Sequence, residues 1–447
     1  MKTLLFILAQ VPVPKDLDLP LPMPEWFLVG VLVVSFLLHI IFVDLMVGGV
    51  LLTLWFEWKG LRNKGYDALA HEIAKTVTVN KSLAVVLGVA PLLAINTLYT
   101  IYFYSANALT GLAWIMIIPL VTVAFLLTYA HKYSWEKLAQ QKELHLAIIG
   151  VSALIFLFIP FIFLTNVNLM LFPEKWGTVK GFLEALMLPN VLPRYLFFIV
   201  GTLAVTGLFL FWYFGRQSYE FEEKLPDLNR YQVRKMFYGL AFGALAVQVA
   251  LVGPILISTL PSKGISPTLV VTLLAGVALV APALYWMWQD MTSPNPVHLD
   301  RHFGKVASLM LVTVLVMGSG RHIYRANAIE PHRELMAEKT AAYRELIAQH
   351  AQAMQNNPSG ELLADAGGSA GEAVFQKNCS ACHAQDVKVV GPPVTEMVSI
   401  YKNDPEGLKK WIKAPGKKRS DAPQMPGFAQ LSDDELQALS EYILHIN

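Results

Sequence analysis

Charge is scarce in this chain, and thiols are scarcer. Of 447 residues only 15% are Asp, Glu, Lys or Arg, while 55% are hydrophobic. Mean hydropathy is +0.47. Such a balance excludes an ordinary soluble globular protein and leaves an integral membrane protein. There is no internal repeat, no P-loop or other nucleotide-binding motif, and no basic-aromatic pattern suited to nucleic acid. The formal net charge of +2 says nothing about partners, because most charges sit between the apolar runs. Cys379 and Cys382 are the only cysteines, so a zinc site built on them would lack two ligands.

Apolar segments dominate what is present. Stretches long enough to cross about 30 Å of hydrocarbon occur near residues 26–56, 82–104, 111–131, 145–169, 195–214, 237–260, 268–289 and 303–324. They predict an all-α protein with an eight-helix transmembrane bundle over residues 26–330. Basic residues crowd the loops after the first, third, fifth and seventh segments: Lys59, Arg62, Lys64, Lys75 and Lys81; Lys132, Lys137 and Lys142; Arg216, Lys224, Arg230, Arg234 and Lys235; Arg301 and Lys305. The opposite loops carry only Lys175, Lys180, Arg194 and Lys263. The positive-inside rule then puts both termini on the periplasmic side of a bacterial cytoplasmic membrane. Residues 1–25, with Pro12, Pro14, Pro20, Pro22 and Pro24, read as an extended outer tail leading to Trp26. A signal peptide fits less well, since the apolar run from Met1 to Ala9 is short and lacks a convincing cleavage site.

The most specific motif is Cys379-Ser380-Ala381-Cys382-His383. Two thiols two residues apart, followed at once by a histidine, form an attachment site for one covalent haem c. The thiols add to the vinyl groups, and the His383 imidazole becomes an axial iron ligand. Phe375-Gln376-Lys377-Asn378 leads into the motif as a short helix would, and Gly391-Pro392-Pro393 turns after it. Met425-Pro426-Gly427-Phe428 precedes a final amphipathic helix with Ser432 as N-cap and Glu435 three residues on. Residues 368–447 thus resemble a small class I cytochrome c. That resemblance makes Met425 the second axial ligand, a thioether that favours ferrous iron and raises the potential. Met397, fourteen residues after His383, is the competitor. In bacteria haem c is attached on the outer side, which agrees with the loop charges.

Inside the membrane every ionisable side chain needs a reason. His39, within Leu37-Leu38-His39-Ile40-Ile41-Phe42-Val43-Asp44, requires a metal, a hydrogen-bond partner or a water-filled cavity at its depth. It is a candidate ligand of a b-type haem, the alternative being a hydrogen bond to Asp44 or to a neighbouring helix. Asp44, one turn deeper, is a candidate proton carrier. His322, in Gly318-Ser319-Gly320-Arg321-His322-Ile323-Tyr324-Arg325, is a candidate ligand of a second haem on the same side. There the glycines would admit a flat macrocycle and the arginines pair with propionates; otherwise His322 marks an interface. His131 and His145 flank one loop, as ligands of a shared iron or as solvated caps. His71, His298, His302, His332, His350 and His445 read as surface residues.

A second resemblance rests on three segments. His39 to Val43 through Gly48-Gly49, Val79 to Ala90, and His145 to Asn166-Val167-Asn168-Leu169-Met170 and Pro173 are similar to helices one, two and four of the cytochrome bd quinol oxidase large subunit. The likeness covers residues 26–176, and in that family the first-helix histidine binds a haem. Two departures limit it. The family's third helix bears glutamates for haem binding or proton delivery, whereas Gly111 to Tyr129 has none. Its long quinol-binding loop is replaced here by a short turn from Ser258 to Pro267. A bd-like haem-binding half is therefore expected, joined to a divergent second half. Residues 331–367 form a polar, helix-prone linker to the cytochrome c. It ends in Asn356-Asn357-Pro358-Ser359-Gly360 and Gly367-Gly368, suiting either a swinging hinge or a docked spacer.

The expected function is respiratory electron transfer between a periplasmic haem c and one or more b-type haems. Expected partners are the lipid bilayer, other subunits of a respiratory complex, a periplasmic electron donor or acceptor, and quinone as a candidate. If bd chemistry carries over, the protein is an oxidoreductase reducing oxygen or a similar small oxidant at a five-coordinate haem on His39; no catalytic residue is assigned. The alternative is a non-catalytic membrane anchor and electron conduit for a larger periplasmic or quinone-linked oxidoreductase. A redox sensor is disfavoured, since no signalling domain is present.

Overall fold

The computed structural model describes residues 21–356, 370–417 and 424–445, the side chains at 77–82, 350 and 353–356 excepted. The tail up to residue 20 and the glycine and proline hinge residues at 357–360 and 367–368 lie outside the described residues. Every regular element among those described is helical. The chain divides into two compact units, one of residues 17–334 and one containing 335–447.

The first unit is built from α1 (Glu25–Gly60), α2 (Lys64–Leu98), α3 (Thr100–Thr110), α4 (Leu112–Tyr133), α5 (Lys142–Leu169), α6 (Val191–Gly215), α7 (Arg230–Val247), α8 (Gly253–Ser258), α9 (Pro267–Thr292) and the start of α10 (Phe303–Asn356). In hydrocarbon a helix is the local way to satisfy every backbone N–H and C=O, so the long apolar runs become helices. Among the described residues seven helices are long and apolar enough to cross a membrane, or eight if the bent pair α2 and α3 is one span. α1 is central, packing along α2 and against α5 and α6. Gly48 permits that closeness, because a Cβ there would lie 2.1 Å from Thr206 Oγ1 and 2.9 Å from the Thr202 carbonyl oxygen. The hydroxyls brought in then donate to Asp44, Thr202 to its Oδ1 at 3.1 Å and Thr206 to its carbonyl oxygen at 3.0 Å.

Two segments depart from the simple picture of straight spans. The expected helix over 82–104 starts earlier, at Lys64, and breaks after Leu98 with a bend of 111°. Polar residues at the break explain it: the Thr100 hydroxyl takes the Asn96 carbonyl at 2.7 Å, and Tyr99 leaves helical geometry at φ −131, ψ 40. The sixth span contains a π-helical turn, Gln248–Val252, directly before α8. Pro254 has no N–H to donate and its ring crowds the preceding turn, so the chain widens there.

The second unit holds α11 (Ala370–Asn378), α12 (Val394–Tyr401), α13 (Pro405–Lys413) and α14 (Asp433–Leu444). Its core is formed by Phe375, Cys379, Leu408, Ile412, Leu436, Leu439 and Ile443. α11 crosses α14 at Gly371, where a Cβ would stand 1.9 Å from the Ala438 carbonyl oxygen. Ser432 and Glu435 form the expected capping box at the start of α14. The polar stretch from 331 stays helical as far as Asn356, as the continuation of α10.

Candidate functional site

The end of α11 delivers the thiols. Hydrogen bonds donated by the Cys379 N–H to the Phe375 carbonyl (2.8 Å) and by the His383 N–H to the Cys379 carbonyl (3.0 Å) wind Cys379 to His383 into turns. Cys379 is buried, and burial, reinforced by the neighbouring Cys382, pushes its thiol up to about 11. The His383 Nδ1–H donates to the Pro392 carbonyl at 2.7 Å. A carbonyl only accepts, so a neutral imidazole must turn its Nε2 lone pair away toward a metal, the tautomer an axial ligand needs. Gly391 is required at the turn, since a Cβ there would lie 2.2 Å from His383 Cε1. The two candidate methionines differ. Met397 packs against the core of the unit, whereas Met425 is half-buried in an extended segment anchored by the Phe428 N–H to the Ile412 carbonyl at 3.0 Å. The donor set fits a covalently held haem.

Residues 368–447 match the family model for cytochrome c. This region is a cytochrome c domain. No curated protein matches the chain.

His39, on α1, is half-buried. Its Nδ1–H donates to the Ala84 carbonyl of α2 at 2.8 Å, and a Cβ at Gly88 would meet its Cε1 at 2.9 Å. The ring is thus held as His383 is in the cytochrome c domain, with Nε2 as its remaining lone pair. Asp44 is not its partner, being engaged by Thr202 instead.

His322 lies 3.4 Å, Nδ1 to hydroxyl, from Tyr99 at the break between α2 and α3. The glycines beside it do not open space for a macrocycle. Positions for a Cβ at Gly318 and Gly320 face Leu37 Cδ2 at 3.0 Å and Thr272 Cγ2 at 3.2 Å, so both serve helix packing. Three guanidinium groups gather nearby: Arg321 over the Phe36 ring at 4.4 Å, Arg325 over Tyr99 at 5.3 Å and Arg194 over Tyr324 at 5.6 Å. Among the described residues none of the three has a carboxylate within ion-pair distance, and the buried Tyr324 hydroxyl has no hydrogen-bond partner. Arg194 lay in an outer loop by hydropathy, and only folding brings it to Arg321 and Arg325.

At the other end of the bundle Glu57 (α1), His131 (α4) and His145 (α5) converge, all buried. Glu57 Oε2 is 2.6 Å from His131 Nε2, and Glu57 Oε1 contacts His145 Nδ1. The solvated-cap reading of His131 and His145 is therefore wrong. The missed signal is Glu57 itself, an acid inside Trp55-Phe56-Glu57-Trp58 at the end of an apolar helix. Four of the six histidines read as surface residues are also packed. His302 Nδ1 pairs with the buried Asp290 at 2.7 Å, His71 stacks on Trp135 at 4.5 Å, His332 lies 3.1 Å from the Tyr102 hydroxyl, and His298 lies 2.9 Å from Ser293 Oγ. His445 is exposed, and the side chain of His350 lies outside the described residues.

Proposed function

We propose that this protein is a respiratory electron-transfer protein, exchanging electrons between the covalent haem c of its C-terminal domain and b-type haem among its membrane helices. The observation that carries the reading is a shared device: His39 and His383 each donate Nδ1–H to a backbone carbonyl, at 2.8 and 2.7 Å, and each keeps Nε2 for iron. His39 is then the membrane ligand. Arg194, Arg321 and Arg325, none with a carboxylate partner among the described residues, are suited to the propionates of a haem near His322. The haem supplies one-electron chemistry, while the chain orients the imidazoles and neutralises the carboxylates. Loop charges favour placing the cytochrome c domain on the periplasmic side of a bacterial cytoplasmic membrane, where a periplasmic donor or acceptor would reach it. The likeness of residues 26–176 to the bd large subunit favours reduction of oxygen or a similar small oxidant at His39.

The alternative, an anchor and conduit for a larger oxidoreductase, draws support from α4, which carries no acidic residue to deliver protons. One experiment separates the two. Haemochrome analysis of the purified full-length protein should count one haem c and at least one haem b, and carbon monoxide should perturb the b-type spectrum if a coordination position is open. Low-spin b haem unresponsive to carbon monoxide would favour the conduit. His39→Ala should lose b-type absorbance and keep haem c; a full complement of haem b in that variant would sink the ligand assignment.

A further inference from the structure

We infer that Glu57, His131 and His145 bind a divalent transition-metal ion, at a site independent of either haem assignment. The three side chains come from the end of α1, the last turn of α4 and the first turn of α5. Their side chains are 0%, 1% and 0% exposed, and their ligand atoms lie within 4.8 Å of one another.

Hydrogen bonding decides what belongs between them. His145 Nε2 lies 2.8 Å from the His131 carbonyl oxygen. A carbonyl cannot donate, so Nε2 carries a proton, and Nδ1 is left facing Glu57 Oε1. An unprotonated Nδ1 this close to a carboxylate oxygen requires a cation between them, and a metal ion also accounts for the convergence of His131 Nε2 on the same buried carboxylate. Lys142 is not that cation: its Nζ is 3.6 Å from Glu57 Oε1, but it pairs with Asp67 at 2.7 Å and lies 4.5 Å from the centre of the Trp135 ring. A bis-histidine haem does not fit either. The His131 and His145 rings are stacked, centroids 3.9 Å apart at 25°, which leaves no gap for a porphyrin between opposed nitrogens. Trp135 closes the space edge-on, 5.1 and 4.8 Å from the two rings.

A single ion meets these conditions. Two imidazole nitrogens and one carboxylate suit zinc or ferrous iron rather than calcium or magnesium. Around a tetrahedral ion with bonds of about 2.0–2.2 Å the ligand atoms stand about 3.3–3.6 Å apart, so the 2.6 Å contact between Glu57 and His131 would open by roughly 0.7–1.0 Å and the closer one to His145 by more, through rotation of the Glu57 carboxylate and of the two rings. The ion offsets the buried negative charge of Glu57 and ties three helix ends together.

The test uses full-length, haem-loaded protein in detergent, its purification tag removed. Treated with a chelator, given zinc chloride and desalted, wild type should retain one zinc per chain by elemental analysis, in addition to haem iron. Glu57→Gln and His131→Asn should each fall below a tenth of that, with haem c content and elution volume unchanged. Should those variants fail to fold, zinc-edge X-ray absorption of wild type decides, with imidazole nitrogen and carboxylate oxygen expected at about 2.0–2.2 Å. Wild type without stoichiometric zinc, folded variants that keep it, or a spectrum without imidazole would overturn the site, leaving a shared proton as the bridging cation.

Discussion

Gly391→Ala isolates what holds the axial histidine of the cytochrome c domain. Gly391 does not lie in the left-handed range of φ, so alanine there meets no backbone penalty and acts through contact alone. Its Cβ would stand 2.2 Å from His383 Cε1, 2.7 Å from Nδ1 and 2.8 Å from Nε2, where ordinary contact begins near 3.4 Å. The imidazole must therefore retreat by about 1.2 Å, more than half of a ~2 Å metal–nitrogen bond. Retreat also breaks the bond to Pro392. Overpacking of about 1–3 kcal/mol and a lost hydrogen bond of about 1 kcal/mol together destabilise the domain by about 2–4 kcal/mol. The thioether bonds do not involve this contact, so haemochrome analysis should find haem c still attached. The optical spectrum should gain a high-spin fraction, and both potential and melting temperature should fall. Gly416→Ala is the control, its nearest neighbours in Trp411 lying at 3.6 Å. A variant at 391 with native spectrum, potential and melting temperature would refute the reasoning.

Met425→Ala should abolish the spectroscopic signature of thioether ligation and lower the potential of the haem c. Met397→Ala should leave that signature and cost about 2 kcal/mol of stability, as expected for a partly buried core side chain; the reverse pattern would exchange their roles. Gly371→Val should separate α11 from α14 and lower the domain's melting temperature, because its side chain would meet the Ala438 carbonyl at 1.9 Å. An unchanged melt would show that this crossing carries little of the domain's stability.

Features that depend on neighbours in sequence were legible before folding. Eight apolar runs, the C-x-x-C-H motif and the Ser432 cap each need only a few adjacent residues to be recognised. Features that depend on convergence were not. Glu57 is 74 residues from His131, and no periodicity links them. Arg194 belonged to an outer loop until α6 brought it to α10. The bend at Tyr99 was hidden because hydropathy averages over Thr97 and Thr100, whose hydroxyls donate to the Leu93 and Asn96 carbonyls and compete for the backbone bonds of the helix. His302 read as a surface residue for a similar reason, since its partner Asp290 stands on α9.

The burial of Cys379 carries a consequence for assembly. A thiol held at about 11 is a thiolate in about one molecule in a thousand at pH 8, and the anion is the form that reacts. A domain that closed before receiving its haem would bury its own nucleophile. Attachment at Cys379 is therefore easier in the open chain than after α11 has docked onto α14.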